Sequence, residues 1–168
     1  FILNIFLILL LFWIMSFMII IFVYDLKHYT IPDKIIYPAI ILAFFYNLLL
    51  INSQNFLEPS IENIKPFSSL INFLLSGFSA LFFFFVIWFV SRGKWMGFGD
   101  VKLAFFMGVF LGFPNILPAL FLSFLIGAII GIGLIVGKRK TLKSEVPFGP
   151  FLIAGTFLAF FWGEKLIN

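Results

Sequence analysis

An all-α integral membrane protein of about six transmembrane helices is the fold the sequence predicts, and three observations carry that prediction. Hydrophobic residues make up 63% of the 168 residues and charged residues only 11%, a balance outside the soluble globular range. The apolar residues fall in runs, and a bilayer-spanning helix needs about 20 mostly apolar residues. Between the runs stand clusters of Gly, Pro and polar residues, which mark chain reversal.

Six spans follow in order, at residues 1–24, 35–51, 67–90, 100–113, 115–137 and 148–167. The first has neither a basic start nor a small-residue cleavage site, so it reads as a true span and not a signal peptide. The second follows "IPD", where Asp33 after Pro32 looks like an N-cap. Ahead of the third lies "NSQNFLEPSIENIKP", residues 52–66, polar enough to sit in water. The fourth opens after the glycines of "MGFGD" and stops at Pro114, which makes it short enough to need its neighbours to span. Stepping by four from Asp100 along it gives Ala104, Gly108 and Gly112, a row that lets another backbone approach and marks the packed side. In the fifth, Gly127, Ala128 and Gly131 form a packing face of small residues. The sixth begins at "EVPFGPFL", where Pro147, Gly149 and Pro150 either line a site or open a helix with Pro in its first turn. Because the chain starts with Phe inside an apolar run, a single membrane-embedded domain over 1–168, truncated at its N-terminus, is expected.

Basic residues assign the two sides. Lys27, Lys34, Arg92, Lys94, Lys102, Lys138, Arg139, Lys140 and Lys143 fall on one side, and only Lys65 and Lys165 on the other. Lys and Arg are retained in cytoplasmic loops, so the loops at 25–34, 91–100 and 138–147 are predicted inside. Glu58 and Glu62 in the outer loop fit this weakly, since acids contribute little to the rule. The net charge of +4 thus describes topology and suits contact with membrane lipid, and there is no basic-aromatic patch of the nucleic-acid type.

The chemistry available is narrow. With no cysteine the chain offers no disulfide and no thiolate metal ligand, and His28 is its one imidazole. Ser91 and Ser144 have no adjacent histidine, and "GFG" is not followed by a P-loop lysine and serine. Ionisable groups at a membrane boundary are functional candidates by default, because inserting one unpaired costs about 2.5–3.5 kcal/mol. Three aspartates qualify. Asp100 opens the fourth span, where helix capping is the plain alternative to function, and Asp33 reads as a cap. Asp25 closes the first span at the negative end of the helix dipole, the wrong end for stability, although a solvated loop position would also account for it.

Two carboxyls brought together can share one proton, the ionised member drawing a proton from water while the other donates to a substrate carbonyl. The dipole rule orders that pair: Asp100, at a helix N-terminus, ionises first and Asp25, at a C-terminus, holds the shared proton. A transporter or channel is the rival reading, as is a non-catalytic assembly subunit; the first has against it that the acids cluster at one face and the spans show no paired halves.

Three segments, "YDLKHYTIPDK" at 24–34, "GFGDVKLAFFMGVFLG" at 97–112 and "VPFGPFL" at 146–152, resemble in order and spacing the bacterial type IV prepilin peptidases. These are membrane aspartyl proteases of the GxGD type, a group that includes archaeal preflagellin peptidases and is distantly similar to presenilin. The resemblance implies the GxGD aspartyl protease fold, with Asp25 and Asp100 as the catalytic pair and Asp33 outside it. Gly97, Gly99, Lys102, Pro147, Phe148, Gly149 and Pro150 fall on the other motif positions and are expected to support the site. It further implies a bacterial inner-membrane enzyme whose partners are prepilins or pseudopilins, cut on the cytoplasmic side after the glycine that ends a basic leader. Many bacterial members also carry an N-terminal region whose paired cysteines bind zinc, and methylate the new N-terminus with S-adenosylmethionine. This sequence has no cysteine. Aspartyl chemistry needs no metal, thiol or histidine, so no cofactor is expected for proteolysis, and zinc and S-adenosylmethionine only where such an N-terminal domain exists.

Overall fold

The computed structural model of the chain describes residues 2–57, 65–137 and 146–167. Six helices occupy them: α1 (Ile2–His28), α2 (Asp33–Leu57), α3 (Lys65–Ser91), α4 (Phe98–Leu111), α5 (Ile116–Val136) and α6 (Gly149–Ile167). Among the described residues four helical stretches are long and apolar enough to cross a membrane, at Ile2–His28, Asp33–Asn52, Ser69–Ser91 and Ile116–Val136. The apolar part of α6, Gly149–Gly163, is shorter. The basic residues Lys138, Arg139, Lys140 and Lys143, together with Ser144, Glu58 and Glu62, lie outside the described residues.

Each predicted span corresponds to a helix, but several helices outrun their apolar runs. The segment 52–66, predicted as a water-exposed loop, is helical at both ends, through Leu57 and from Lys65. Helix bonds join backbone groups four residues apart and do not require apolar side chains, and no Gly or Pro interrupts residues 52–57. Pro66, second residue of α3, lies in a first turn whose N–H groups have no intrahelical acceptor.

At the centre stands α4. Its 14 residues give about 21 Å of helix, less than the roughly 30 Å hydrocarbon core. Its neighbours α2, α3, α5 and α6 make up the difference by surrounding it. Ten of its residues are buried, from Asp100 to Leu111. The small-residue row does what its spacing predicted: a Cβ on Gly108 would come within 2.5 Å of the Ser76 carbonyl oxygen and 2.6 Å of Gly77 Cα, so here α3 and α4 meet backbone to backbone. Side-chain amides complete the join. Asn47 of α2 donates to the Val109 carbonyl at 2.8 Å, and Asn72 of α3 both accepts from the Phe113 N–H at 2.7 Å and donates to its carbonyl at 3.1 Å. These bonds satisfy backbone groups that an apolar surrounding would leave costly.

On the far side α5 packs chiefly on α6. Gly155 admits the Ser123 hydroxyl and the Ala119 carbonyl, and Gly127 lies against Phe151 and Phe148. The predicted packing face of α5 ends there, because a Cβ on Gly131 would meet nothing within 4 Å among the described residues. Up-and-down threading leaves the end of α1, the start of α2, the end of α3 and the starts of α4 and α6 around a single cavity.

Candidate active site

The first carboxyl is carried by the last turn of α1. The helix runs three residues past Asp25 and closes when Tyr29, in the left-handed region at φ 57°, donates its N–H to the Asp25 carbonyl at 2.8 Å. Leucines, isoleucines and methionine on the same stripe, Leu7, Leu10, Ile14, Met18 and Ile21, bury that face of α1, and Asp25 continues the stripe into the protein at 4% exposure. The chain then crosses residues 30–32 and starts α2, with the Pro32 carbonyl accepting from Ile35 and Ile36.

The second carboxyl comes from the first turn of α4. Before it, α3 ends in a Schellman motif: Gly93 donates to the Trp88 carbonyl at 3.0 Å and Arg92 to that of Phe89 at 3.1 Å, with Arg92 and Gly93 both at positive φ. The loop reaches Gly97, the N-cap of α4, whose backbone N–H faces the Asp100 carboxyl three residues on. That is the returning half of a capping box, supplied here by Asp. Capping and cavity placement thus belong to the same side chain, which is 7% exposed.

Both carboxyls line one cavity of about 810 Å³. The Oδ2 atom of Asp25 is buried and has no hydrogen-bond partner among the described residues. The third wall is the start of α6. Phe148 there accepts from Phe151 at 3.0 Å and Leu152 at 3.2 Å, and Pro150 has no N–H, so Gly149 holds the free first-turn donor, which faces the Asp25 carboxyl. A Cβ on Gly149 would lie 2.5 Å from Asp25 Oδ2. Asp25 therefore meets the end of its own helix and the beginning of another. The ionisation order inferred from α1 and α4 alone loses its basis, because both carboxyls face a helix N-terminus.

The remaining motif residues separate by role. Gly99 is required sterically, since a Cβ there would come within 2.9 Å of Ile31 Cβ, whereas one on Gly97 would meet only the Gly99 nitrogen at 3.9 Å. Asp33 is the first residue of α2 and not its N-cap; its carboxylate accepts from Lys102 Nζ at 2.6 Å. Capping there is replaced by an ion pair because α4 brings a cation within reach. Pro147 and Phe148 line the cavity, with the Phe148 ring 5.1 Å from that of Phe124 and 6.1 Å from that of Phe84, while Gly149 and Pro150 are buried. His28 is exposed at the end of α1 with its ring tilted against that of Tyr24, 4.5 Å between centres, and the Ser91 hydroxyl donates to the Trp88 carbonyl. Among the described residues no group of three His, Cys, Asp or Glu side chains comes together as a metal site. Sequence reasoning missed Ile31, Tyr37 and Phe98. The spacing of Asp33 to Tyr37 and of Phe98 to Lys102, four residues each on a helix, was the available signal for the last two.

Fold and site together define a multi-pass, all-α membrane protein with a carboxyl pair at one end of its bundle. The type IV leader peptidase family matches at residues 12–132, and the chain belongs to that family. The matched stretch contains Asp25 and Asp100; the "VPFGPFL" element lies beyond it. The prepilin leader peptidase/N-methyltransferase of Bacillus subtilis (strain 168) is 31% identical over 153 residues, covering 91% of this chain and 55% of that protein. The proteins of the same description from Aeromonas salmonicida (strain A449), 30% identical over 143 residues, and Legionella pneumophila, 32% over 148, cover 84% and 86% of this chain and 45% and 46% of their own length. The chain thus spans about half the length of the curated relatives it matches. No solved structure matches it significantly.

Proposed function

We propose that the chain is a membrane aspartyl endopeptidase that removes the basic leader of type IV prepilins or pseudopilins, cutting after a glycine at the cytoplasmic face of the bacterial inner membrane. The observation that carries this reading is the burial of Asp25 and Asp100 at one cavity, with Asp25 Oδ2 unpartnered among the described residues. Buried polar atoms are nearly always hydrogen-bonded, so a buried carboxyl oxygen without a partner, on a side chain that lines a cavity, needs a reason, and a catalytic role supplies one.

In the proposed reaction one carboxylate takes a proton from water as its oxygen attacks the scissile carbonyl carbon, and the other carboxyl donates its proton to the carbonyl oxygen. Collapse of the tetrahedral intermediate breaks the C–N bond. The leaving nitrogen takes the proton gained by the first carboxyl, and the second recovers its own from the collapsing hydroxyl. The substrate must be extended at the cut, because a helix engages its carbonyls in hydrogen bonds. Lys27, Lys34, Arg92 and Lys94 stand exposed at the same end as the pair, which supports a cytoplasmic orientation and contact with anionic lipid.

The relatives' printed description includes methyl transfer, but the residues of this chain do not fit a thiolate zinc site: no cysteine is present and His28 stands apart from the cavity. Methylation is not part of the proposal. The test is cleavage of a model prepilin, a basic leader ending in Gly ahead of an apolar helix, by wild type, Asp25→Asn and Asp100→Asn in detergent. Cleavage after the glycine that either substitution reduces by about 10³-fold or more supports the pair. Folded variants that still cut at the wild-type rate would refute it, and an effect confined to folding would favour the assembly-subunit reading.

A further inference from the structure

Two glycines flank the carboxyl pair, Gly99 beside Asp100 and Gly149 against Asp25, and one side chain packs on both. Ile31, in the short α1–α2 connection, has its Cβ 2.9 Å from where a Cβ of Gly99 would stand and its Cδ1 3.3 Å from where one of Gly149 would stand. The first turns of α4 and α6 are thus held apart by the thickness of one isoleucine. Two residues further on, Asp33 binds Lys102 at 2.6 Å, and Lys102 lies two residues beyond Asp100. The ammonium sits 5.2 Å from the centre of the Tyr37 ring and 5.3 Å from that of Phe98, within cation–π reach of both. Its side chain is 18% exposed against 59% for Asp33, so the cation is the withdrawn member. The connection is therefore drawn toward α4 at Asp33 and braced against α4 and α6 at Ile31.

We propose that Ile31 and the Asp33–Lys102 pair are positioning residues that set the gap between the Asp25 and Asp100 carboxyls, the isoleucine as spacer and the ion pair as clasp. This inference rests on the aspartyl reading above. Neither element supplies a group to the reaction. Each fixes where a carboxyl stands, and displacing a reacting group by about 1 Å costs up to about 10²-fold in rate.

The test is steady-state cleavage of the model prepilin by the full chain, with thermal unfolding run on every variant. Ile31→Ala and Lys102→Met are expected to lower kcat by about 10- to 100-fold with KM within about twofold. Ile31→Val, which keeps the branched Cβ against Gly99, and Lys102→Arg, which keeps the cation, should recover most of it. The double variant Asp33→Asn with Lys102→Met should be no slower than the worse single variant, because partners in one clasp are lost together and do not multiply. If an alanine or methionine variant fails to fold, the graded effects of Ile31→Val and Asp33→Asn on kcat decide instead. Unchanged kcat in folded variants overturns the proposal, as does a change confined to KM, which would make Ile31 a substrate contact. Asp25→Asn run alongside separates the two claims: if it still cuts, the aspartyl reading fails, and if it is dead while the Ile31 and Lys102 variants keep wild-type kcat, only the spacer and clasp fail.

Discussion

Gly149→Ala puts a single methyl group between the start of α6 and the Asp25 carboxyl. The added Cβ would stand 2.5 Å from Oδ2 and 3.2 Å from Cγ, where ordinary contact begins at 3.4 Å, so the carboxyl or the helix must give way by about 0.9 Å. The helix is ill placed to move, because Gly149 and Pro150 are buried and the first turn is tied by two bonds to the Phe148 carbonyl. The carboxyl moves instead, and a displacement of that size costs up to about 10²-fold in kcat, or about 2.7 kcal/mol of barrier. Overpacking destabilises the fold by about 1–3 kcal/mol as well. The assay is cleavage of the model prepilin followed by mass spectrometry, with thermal unfolding on the same preparations. Gly131→Ala is the matched control, since its Cβ meets nothing within 4 Å and the same change should leave kcat intact. A folded Gly149→Ala protein that cut at the wild-type rate would refute the reasoning, by showing that the reacting position of Asp25 is not the one beside α6.

The two glycines before Asp100 should respond unequally. Gly99→Ala collides with Ile31 at 2.9 Å and is expected to lower both the unfolding temperature and kcat, while Gly97→Ala, with only a 3.9 Å neighbour, should leave the unfolding temperature unchanged. Gly108→Ala drives a methyl into the Ser76 carbonyl and Gly77 Cα, both backbone, and should destabilise the α3–α4 join by about 3 kcal/mol, read as a lower denaturation midpoint. The pH dependence of kcat/KM should be bell-shaped, because one proton must be shared by the pair. Activity falls on the acid side as both carboxyls become protonated and on the alkaline side as both ionise; a profile flat across both limbs would contradict the mechanism.

The six helices and the small-residue side of α4 were legible because they depend on local pattern: apolar runs, Gly and Pro breaks, and a spacing of four. Asp25 and Asp100 stood out as candidates too, since an aspartate beside a long apolar run is rare enough to need a reason. The partner of Asp33 was not. Nothing near Asp33 in the chain indicates Lys102, 69 positions away, and the cap reading used only the residues beside it. The same locality left the ordering of the pair without a basis. Asp25 was judged by the helix that carries it, but the helix that matters equally is α6, more than 120 residues on, and only packing brings that N-terminus to the carboxyl. Ile31 left no signal, because an isoleucine before a proline reads as ordinary connection until two glycines are found against it.

The position of the site at helix ends, and not on helix faces, follows from what a bilayer tolerates. A carboxyl pair midway along the bundle would stand in hydrocarbon, with no water to be activated and a charge to be neutralised. At the ends, α4 and α6 each present N–H groups that have no partner inside their own helix, and these face Asp100 and Asp25. The bundle beneath can then remain almost wholly apolar, as α4 is below Asp100, and adapt to lipid without disturbing the chemistry. The consequence is that accuracy in the site depends on how the helix ends are spaced, and that spacing is carried by short connections. A substitution in residues 29–33 should therefore cost more activity per unit of stability lost than one of equal size in the buried middle of α4. Ile31→Ala against Leu103→Ala, each measured for kcat and unfolding temperature, is the direct comparison; a larger loss of kcat in Leu103→Ala would locate the precision of the site in the bundle core instead.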